Sequence, residues 1–167
     1  GHKTLYGPTG ISGFVMNTEI ELPPVLFGGT GTESANQEMP KNMPERYEMG
    51  TLNISGLAGL NAALKWNKQI GIDAIAKKEE DNRERLISII QGYGWLKIIV
   101  SCLMSGISSD SAETVFSEQG IAVRTGLQCA PLAHKFLNTF PAGTIRFSVS
   151  YFTSDRDFEE LEAALDY

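Results

Sequence analysis

Thr144-Ile145-Arg146-Phe147-Ser148-Val149-Ser150-Tyr151-Phe152 alternates cleanly, with Ile145, Phe147, Val149 and Tyr151 on one face and Arg146, Ser148 and Ser150 on the other. Period two, with β-branched and aromatic residues on one side, reads as a strand half-buried against a core. The flanks decide the class. Downstream, Ser154 and Asp157 are spaced to cap a last helix through Leu165. Upstream, Ile121-Ala122-Val123-Arg124 reads as a short strand, followed by a loop carrying Cys129 and a short helix over 132–138. Before these, Asp110 with Glu113 makes a capping box for a helix ending ahead of Gly120, a C′ glycine. Leu96–Leu103 is a β-rich run with Lys97 as its one charge.

Further upstream the pattern is helical. Leu57, Leu60 and Leu64 recur at i, i+3 and i+7 from about Thr51, among Ala58, Ala62 and Ala63. Gly71 interrupts, and a second helix is expected from about Ile72 to Gln91, with Leu86, Ile89 and Ile90 on its apolar face. Glu79 with Arg83 and Asp81 with Arg85 sit at i, i+4 on its solvated face. The first fifty residues differ. Gly7, Pro8, Gly10 and Gly13 punctuate the opening, Phe14-Val15-Met16 gives a short strand, Pro23-Pro24 stops any regular element, and Gly28–Thr32 with the polar stretch to Pro44 reads as exposed loop. The order helix, helix, strand, helix, strand, strand, helix makes an α+β domain, a small sheet packed on helices.

Composition narrows the function. The chain has 167 residues, 14 Lys+Arg against 20 Asp+Glu, and a net charge of −6. An acidic balance argues against a protein built chiefly to bind phosphate backbones, so no nucleic-acid partner is expected. An apolar share of 42% is globular. Two cysteines, Cys102 and Cys129, are too few for a disulfide framework, and no four-ligand Cys/His spacing for zinc is present. No apolar run of about 18 residues spans a membrane, and no signal-peptide pattern is visible. A cytoplasmic, reducing compartment is the expectation.

Few residues could carry chemistry. Gly7-Pro8-Thr9-Gly10-Ile11-Ser12-Gly13 lacks the Gly-Lys-Ser/Thr ending of a phosphate loop. Lys3 is a nucleophile only if its surroundings depress its pKa, and is otherwise a surface lysine. Cys129 lies in Arg124-Thr125-Gly126-Leu127-Gln128-Cys129-Ala130-Pro131, a Gly- and Pro-bounded loop where an arginine helps hold thiolate. Cys102, on an apolar run, reads as inert core. His134 follows Cys129 by five residues, but such proximity is poor evidence for a Cys–His dyad. Arg146 could fork onto a carboxylate or make an ordinary surface ion pair.

Together these pieces form a pattern. Gly1-His2-Lys3-Thr4-Leu5-Tyr6-Gly7-Pro8-Thr9-Gly10 resembles the cofactor-lysine segment of cysteine desulfurases, pyridoxal-phosphate enzymes related to the class V aminotransferases. Tyr47-Glu48-Met49-Gly50-Thr51-Leu52-Asn53 is similar to that family's Phe-Glu-x-Gly-Thr-x-Asn segment. Gly120 through Lys135 resembles the active-cysteine loop of the short-loop, SufS-like branch, and Gly143-Thr144-Ile145-Arg146-Phe147-Ser148 resembles the substrate-arginine strand. The four motifs occur in the family's order and cover nearly the whole chain.

The resemblance implies the C-terminal part of an aspartate aminotransferase-like fold, residues 1–50 belonging to the cofactor-binding domain and 51–167 to a small α+β domain. It implies that Lys3 carries pyridoxal 5′-phosphate and moves the substrate Cα proton, that His2 contacts the phosphate, and that Thr51 reaches the phosphate of the other subunit in a homodimer. Arg146 would hold the carboxylate of L-cysteine, and Cys129 would take its sulfur as a persulfide, leaving alanine and later passing the sulfur to an acceptor protein. Arg124 would support the substrate or the thiolate. Gln128 stands where many relatives carry histidine, and Ser101-Cys102-Leu103-Met104 replaces a Ser-Phe-Asn-type strand. The family's ring-stacking histidine and pyridine-pairing aspartate precede the lysine, so this chain by itself is expected to be inactive. Two other readings stay open: a selenocysteine lyase or other class V enzyme, and a standalone, non-catalytic binding or dimerisation module.

Overall fold

Asn53 starts the first helix by accepting the Gly56 N–H on its side-chain oxygen at 2.9 Å, and α1 runs Ile54–Ile70. The structure is a computed structural model that describes residues 1–17, 19–33, 35–98 and 101–166. The chain divides into two compact units, Gly1–Gly71 and Ile72–Tyr167.

In the first unit α1 packs against the Gly-rich opening turn through small residues. The Gly1 ammonium donates to the Ile11 carbonyl and the Gly7 N–H to the Gly1 carbonyl, both at 2.9 Å, closing the turn. A Cβ on Gly7 would come within 2.9 Å of Leu60, and one on Gly59 within 2.8 Å of Pro8. Glycine at these contacts lets turn and helix backbones approach closely. Asn67, buried in the last turn of α1, donates to the Leu5 and Ala63 carbonyls at 2.9 Å each. The packed face therefore runs through Gly56, Leu60, Ala63 and Asn67, whereas Leu57 and Leu64 of the expected leucine face are exposed. Phe14-Val15-Met16, expected as a strand, takes no regular secondary structure. Glu45–Tyr47 forms one 3-10 turn ahead of the Thr51 segment.

The second unit has an apolar core. Its helix α2, Ile72–Gln91, buries Ile75, Leu86 and Ile90. Arg83 pairs with Glu80, and the expected Asp81–Arg85 pair is replaced: Lys77 pairs with Asp81 and Arg85 with Asp155. Spacings of three and four residues are both neighbours on a helix, and Arg85 also lies 4.3 Å over the Phe158 ring, which draws it off its own helix.

Leu96–Leu103, expected as one strand, is instead two antiparallel ones, β1 (Leu96–Ile98) and β2 (Cys102–Met104), paired Leu96 to Met104 and Ile98 to Cys102. Ile99 and Val100 of that expectation lie outside the described residues. Folding back frees the other edge of Cys102 to exchange hydrogen bonds with Ile145 at 2.8 and 2.9 Å. Arg146 in turn exchanges bonds with Arg124 at 2.7 and 3.1 Å. Four segments thus lie side by side: β1, β2, residues 145–146 and residue 124. Ladder pairing is shorter than the alternation predicts, but the sidedness holds. Ile145 is buried, Phe147 and Val149 pack on the core, and Arg146 and Ser148 are exposed.

Helix α3, Ser109–Glu118, is capped by Ser108, whose side chain accepts the Ser111 N–H, rather than by Asp110. Asp110 lies inside the first turn, where the helix's partial positive charge suits it. Gly120 follows in the left-handed conformation, φ +77°, as a C′ glycine should. Helix α4 spans Pro131–Phe136 and α5 spans Asp155–Leu165. Asp157 accepts both the Ser154 N–H and its hydroxyl, at 2.7 and 2.6 Å, which closes the expected capping box and holds this carboxyl below its ordinary pKa. Phe116, Ile145 and Phe158 form the centre of the core, with Leu86, Ile90, Leu96, Leu161 and Leu165 around them. Among the described residues no helix is long and apolar enough to cross a membrane.

Candidate active site

The cysteine loop leaves the sheet at Arg124 and reaches α4 at Pro131. Three of its residues adopt the left-handed conformation: Gly126 at φ +87°, Gln128 at +52° and Cys129 at +62°. Glycine takes this at little cost, but for Gln128 and Cys129 it is strained and must be imposed by surrounding contacts. Those contacts are specific. The Gly126 carbonyl accepts the Thr144 N–H at 3.1 Å. Thr125 donates its hydroxyl to Glu113 of α3 at 2.7 Å. Gln128 donates its amide to the carbonyls of Arg124 and Thr144, at 2.9 and 3.3 Å. At Gly143 (φ +75°) any Cβ would collide with the Gly126 backbone, so the loop lies directly on the strand.

The outcome is an exposed thiol beside a cation. Arg124 Nη2 lies 3.3 Å from Cys129 Sγ. Arg146 is the direct cross-strand neighbour of Arg124, and such neighbours project from the same face of a sheet. Two exposed guanidiniums are therefore side by side. Like charges placed so repel, and a bound carboxylate relieves the repulsion while accepting forked hydrogen bonds.

The other cysteine is different in kind. Cys102 is buried at 4% exposure, and burial pushes its thiol up to about 11. It is core, as its sequence context indicates. His134 is also buried, its Nδ1 sharing a 2.7 Å hydrogen bond with the Thr139 hydroxyl, which makes it a core histidine rather than a partner of Cys129. Among the described residues no His, Cys, Asp and Glu cluster suits a metal ion.

His2, Lys3 and Thr51 belong to the first unit, and all three side chains are exposed. His2 and Lys3 sit on the opening turn, where the Lys3 carbonyl accepts the Tyr6 N–H at 3.0 Å. Thr51 follows Gly50 (φ +75°), and Asn53, two residues on, donates to the Gly10 carbonyl at 3.2 Å. That bond ties the threonine segment to the turn carrying the lysine. The structure thus gathers Arg124, Cys129 and Arg146 in the second unit, and His2, Lys3 and Thr51 along one tied stretch of the first. Sequence assigns Thr125, Glu113 and Gly143 no role in shaping this loop, and places Glu113 in a capping box. The pairing of Gly126 with Gly143 is the one signal that points to the loop–strand contact.

The profile of the aminotransferase class-V family matches residues 1–161. This chain belongs to the class-V aminotransferase family. The family is one of pyridoxal-phosphate-dependent enzymes. Among curated relatives, a probable cysteine desulfurase of Methanothermobacter thermautotrophicus is 32% identical over 99% of this chain and 45% of its own length. A cysteine desulfurase of Synechococcus elongatus is 31% identical over 99% of this chain and 28% of its own. The crystal structure of the cysteine desulfurase CsdA from Escherichia coli superposes with a TM-score of 0.78 at 25% identity, over 97% of this class-V chain and 43% of that one. The apo cysteine desulfurase from Thermococcus onnurineus shares the fold, with a TM-score of 0.70 at 22% identity over 86% of this chain and 38% of that one. The class-V chain therefore spans under half the length of these relatives. Its α+β architecture is that of the C-terminal part of their fold.

Proposed function

We propose that this chain supplies the sulfur-accepting and carboxylate-binding part of a cysteine desulfurase, which converts L-cysteine to L-alanine and retains the sulfur as a persulfide on Cys129. One observation carries the reading: the exposed Cys129 thiol 3.3 Å from Arg124, with Arg146 as that arginine's cross-strand neighbour. The thiol is in contact with one arginine, and a second arginine next to that one suits the carboxylate of an amino acid. The thiolate attacks the substrate sulfur in the geometry of thiol–disulfide exchange. A sulfur–sulfur bond forms, the Cβ–S bond breaks, its electron pair stays with the carbon skeleton, and protonation there leaves alanine.

The donor set of the first unit fits pyridoxal phosphate: an exposed amine on Lys3 for an aldehyde, and the imidazole of His2 and hydroxyl of Thr51 for a phosphate. Bound there, that group supplies an electron sink for carbanions at Cα and Cβ. Lys3 would move the Cα proton, and Thr51 would serve the site of a second copy in a homodimer. Residues 1–50 are read as part of the cofactor-binding domain and 51–167 as the small domain of a cytoplasmic enzyme that delivers its sulfur to an acceptor protein.

The test uses a protein in which these residues are joined to the rest of the class-V fold. After incubation with L-cysteine and pyridoxal phosphate, the peptide containing Cys129 gains the mass of one sulfur atom, and reductant removes it. Cys129→Ser abolishes that gain and lowers alanine formation at least about a hundredfold, as loss of a covalent nucleophile should. Unchanged alanine formation in Cys129→Ser overturns the reading. The 167-residue chain alone releases no sulfide.

A further inference from the structure

The loop from Arg124 to Ala130 must return Cys129 to the side chain of the residue from which it departed. Two side-chain-bearing residues in succession, Gln128 and Cys129, are left-handed to achieve this. Gln128 imposes that path. Its Nε2 donates to the Arg124 carbonyl at 2.9 Å and to the Thr144 carbonyl at 3.3 Å. The Arg124 carbonyl also accepts the Arg146 N–H at 2.7 Å, so one amide grips both segments at the place where they pair. The amide has one workable orientation, since its reverse would set Oε1 against two carbonyl oxygens. In the orientation adopted, Oε1 is buried with no hydrogen-bond partner among the described residues. Burying an acceptor unpaired is unfavourable, so the two donated bonds govern where this side chain lies.

We propose that Gln128 is the positioning residue of the cysteine loop: its amide ties the loop to both paired segments and so holds the Cys129 sulfur against the Arg124 guanidinium. The proposal deepens the desulfurase reading by naming what aims its nucleophile, and rests on that reading for the role of Cys129. A residue that merely filled space would affect stability and leave thiol chemistry alone. Gln128 affects the thiol through Arg124.

The test is peptide-resolved alkylation of Cys129 by iodoacetamide in the intact 167-residue chain, followed from pH 6 to pH 9, with thermal melts and circular dichroism on each variant. Arg124→Gln sets the reference, slowing labelling by roughly threefold or more as the guanidinium contact with the sulfur is lost. Gln128→Leu slows it to a similar extent and gives the same pH profile as Arg124→Gln. The double variant is no slower than Arg124→Gln, because both changes remove the same contact. Gln128→His, which keeps a ring donor, is intermediate. Gln128→Glu, with the same shape and no donor when ionised, matches Gln128→Leu and carries the test if the leucine variant does not fold. A folded Gln128→Leu or Gln128→Glu with the labelling profile of the unaltered chain overturns the proposal, as does a fully additive double variant. Labelling that depends on Gln128, together with failure of Cys129 to gain sulfur from L-cysteine in the joined protein, overturns the desulfurase reading and leaves the positioning role standing. The opposite pair of results overturns the positioning role alone.

Discussion

The first unit, Gly1–Gly71, and the second, Ile72–Tyr167, are held together by different means. In the first, Met39 and Pro40 are buried, while Phe14, Val15, Val25, Leu26 and Phe27 are all more than 60% exposed. Its order comes from glycine-mediated backbone approach, a closed turn and the side-chain amides of Asn53 and Asn67. Among the described residues, the second buries ten apolar ones in one contiguous cluster. Apolar burial contributes about 25 cal/mol per Å², whereas one exchanged hydrogen bond contributes about 1 kcal/mol net. The proposed nucleophile and carboxylate arginine therefore stand on the well-packed unit. The proposed cofactor lysine stands on the one whose apolar side chains are mostly exposed.

The largest test of this contrast truncates one apolar side chain in each unit. Phe116→Ala, at 1% exposure, should cost about 3–5 kcal/mol of the second unit's unfolding free energy. Leu57→Ala, at 42% exposure, should stay within about 0.5 kcal/mol. Urea unfolding measures both, and equal shifts would break the comparison. A smaller effect comes from Gly143→Ala. Its methyl group would meet the Gly126 backbone, and its φ of +75° already disfavours a side chain. Overpacking of this kind costs about 1–3 kcal/mol, and the loop's displacement should also slow alkylation of Cys129. A normal melting temperature with normal labelling would show that the loop does not depend on that strand.

The smallest effect concerns the buried thiol. Burial raises Cys102 to about 11, so the folded state keeps its proton at pH values where the unfolded chain, with a thiol near 8.5, has begun to lose it. The stability from this group is complete below about pH 8.5 and is lost as pH rises toward about 11. Urea midpoints between pH 7 and pH 10 should fall more steeply for the unaltered chain than for Cys102→Ala. In native buffer iodoacetamide should label Cys129 and spare Cys102. Equal labelling of the two would contradict the packed core.

What sequence made legible follows the range of the forces involved. The Ser154–Asp157 capping box, the C′ glycine at Gly120 and the span of α2 are local, and each is where pattern places it. The sidedness of Ile145, Phe147 and Val149 also survived, because it depends only on which face meets the core. Pairing did not follow from pattern. Nothing local dictates that 96–104 folds back on itself, that α1 packs through Gly56 and Ala63 rather than its leucines, or that Ser108 displaces Asp110 as cap. At the candidate site the chemical types of Arg124, Cys129 and Arg146 were legible. The left-handed path that brings a thiol back to an arginine five residues earlier was not, since Thr125, Gln128 and Gly143 fix it through partners distant in sequence.

The exchange of backbone bonds between Arg124 and Arg146 has a mechanical consequence. One bond runs each way, at 2.7 and 3.1 Å, so neither residue can slide along the other without breaking both. The two arginines behave as opposite teeth of a single jaw. Any movement of the strand that repositions Arg146 also carries the loop root from which the Cys129 sulfur is suspended. The spacing between the proposed carboxylate grip and the proposed nucleophile is then set by paired backbone, not by two side chains that must find each other anew.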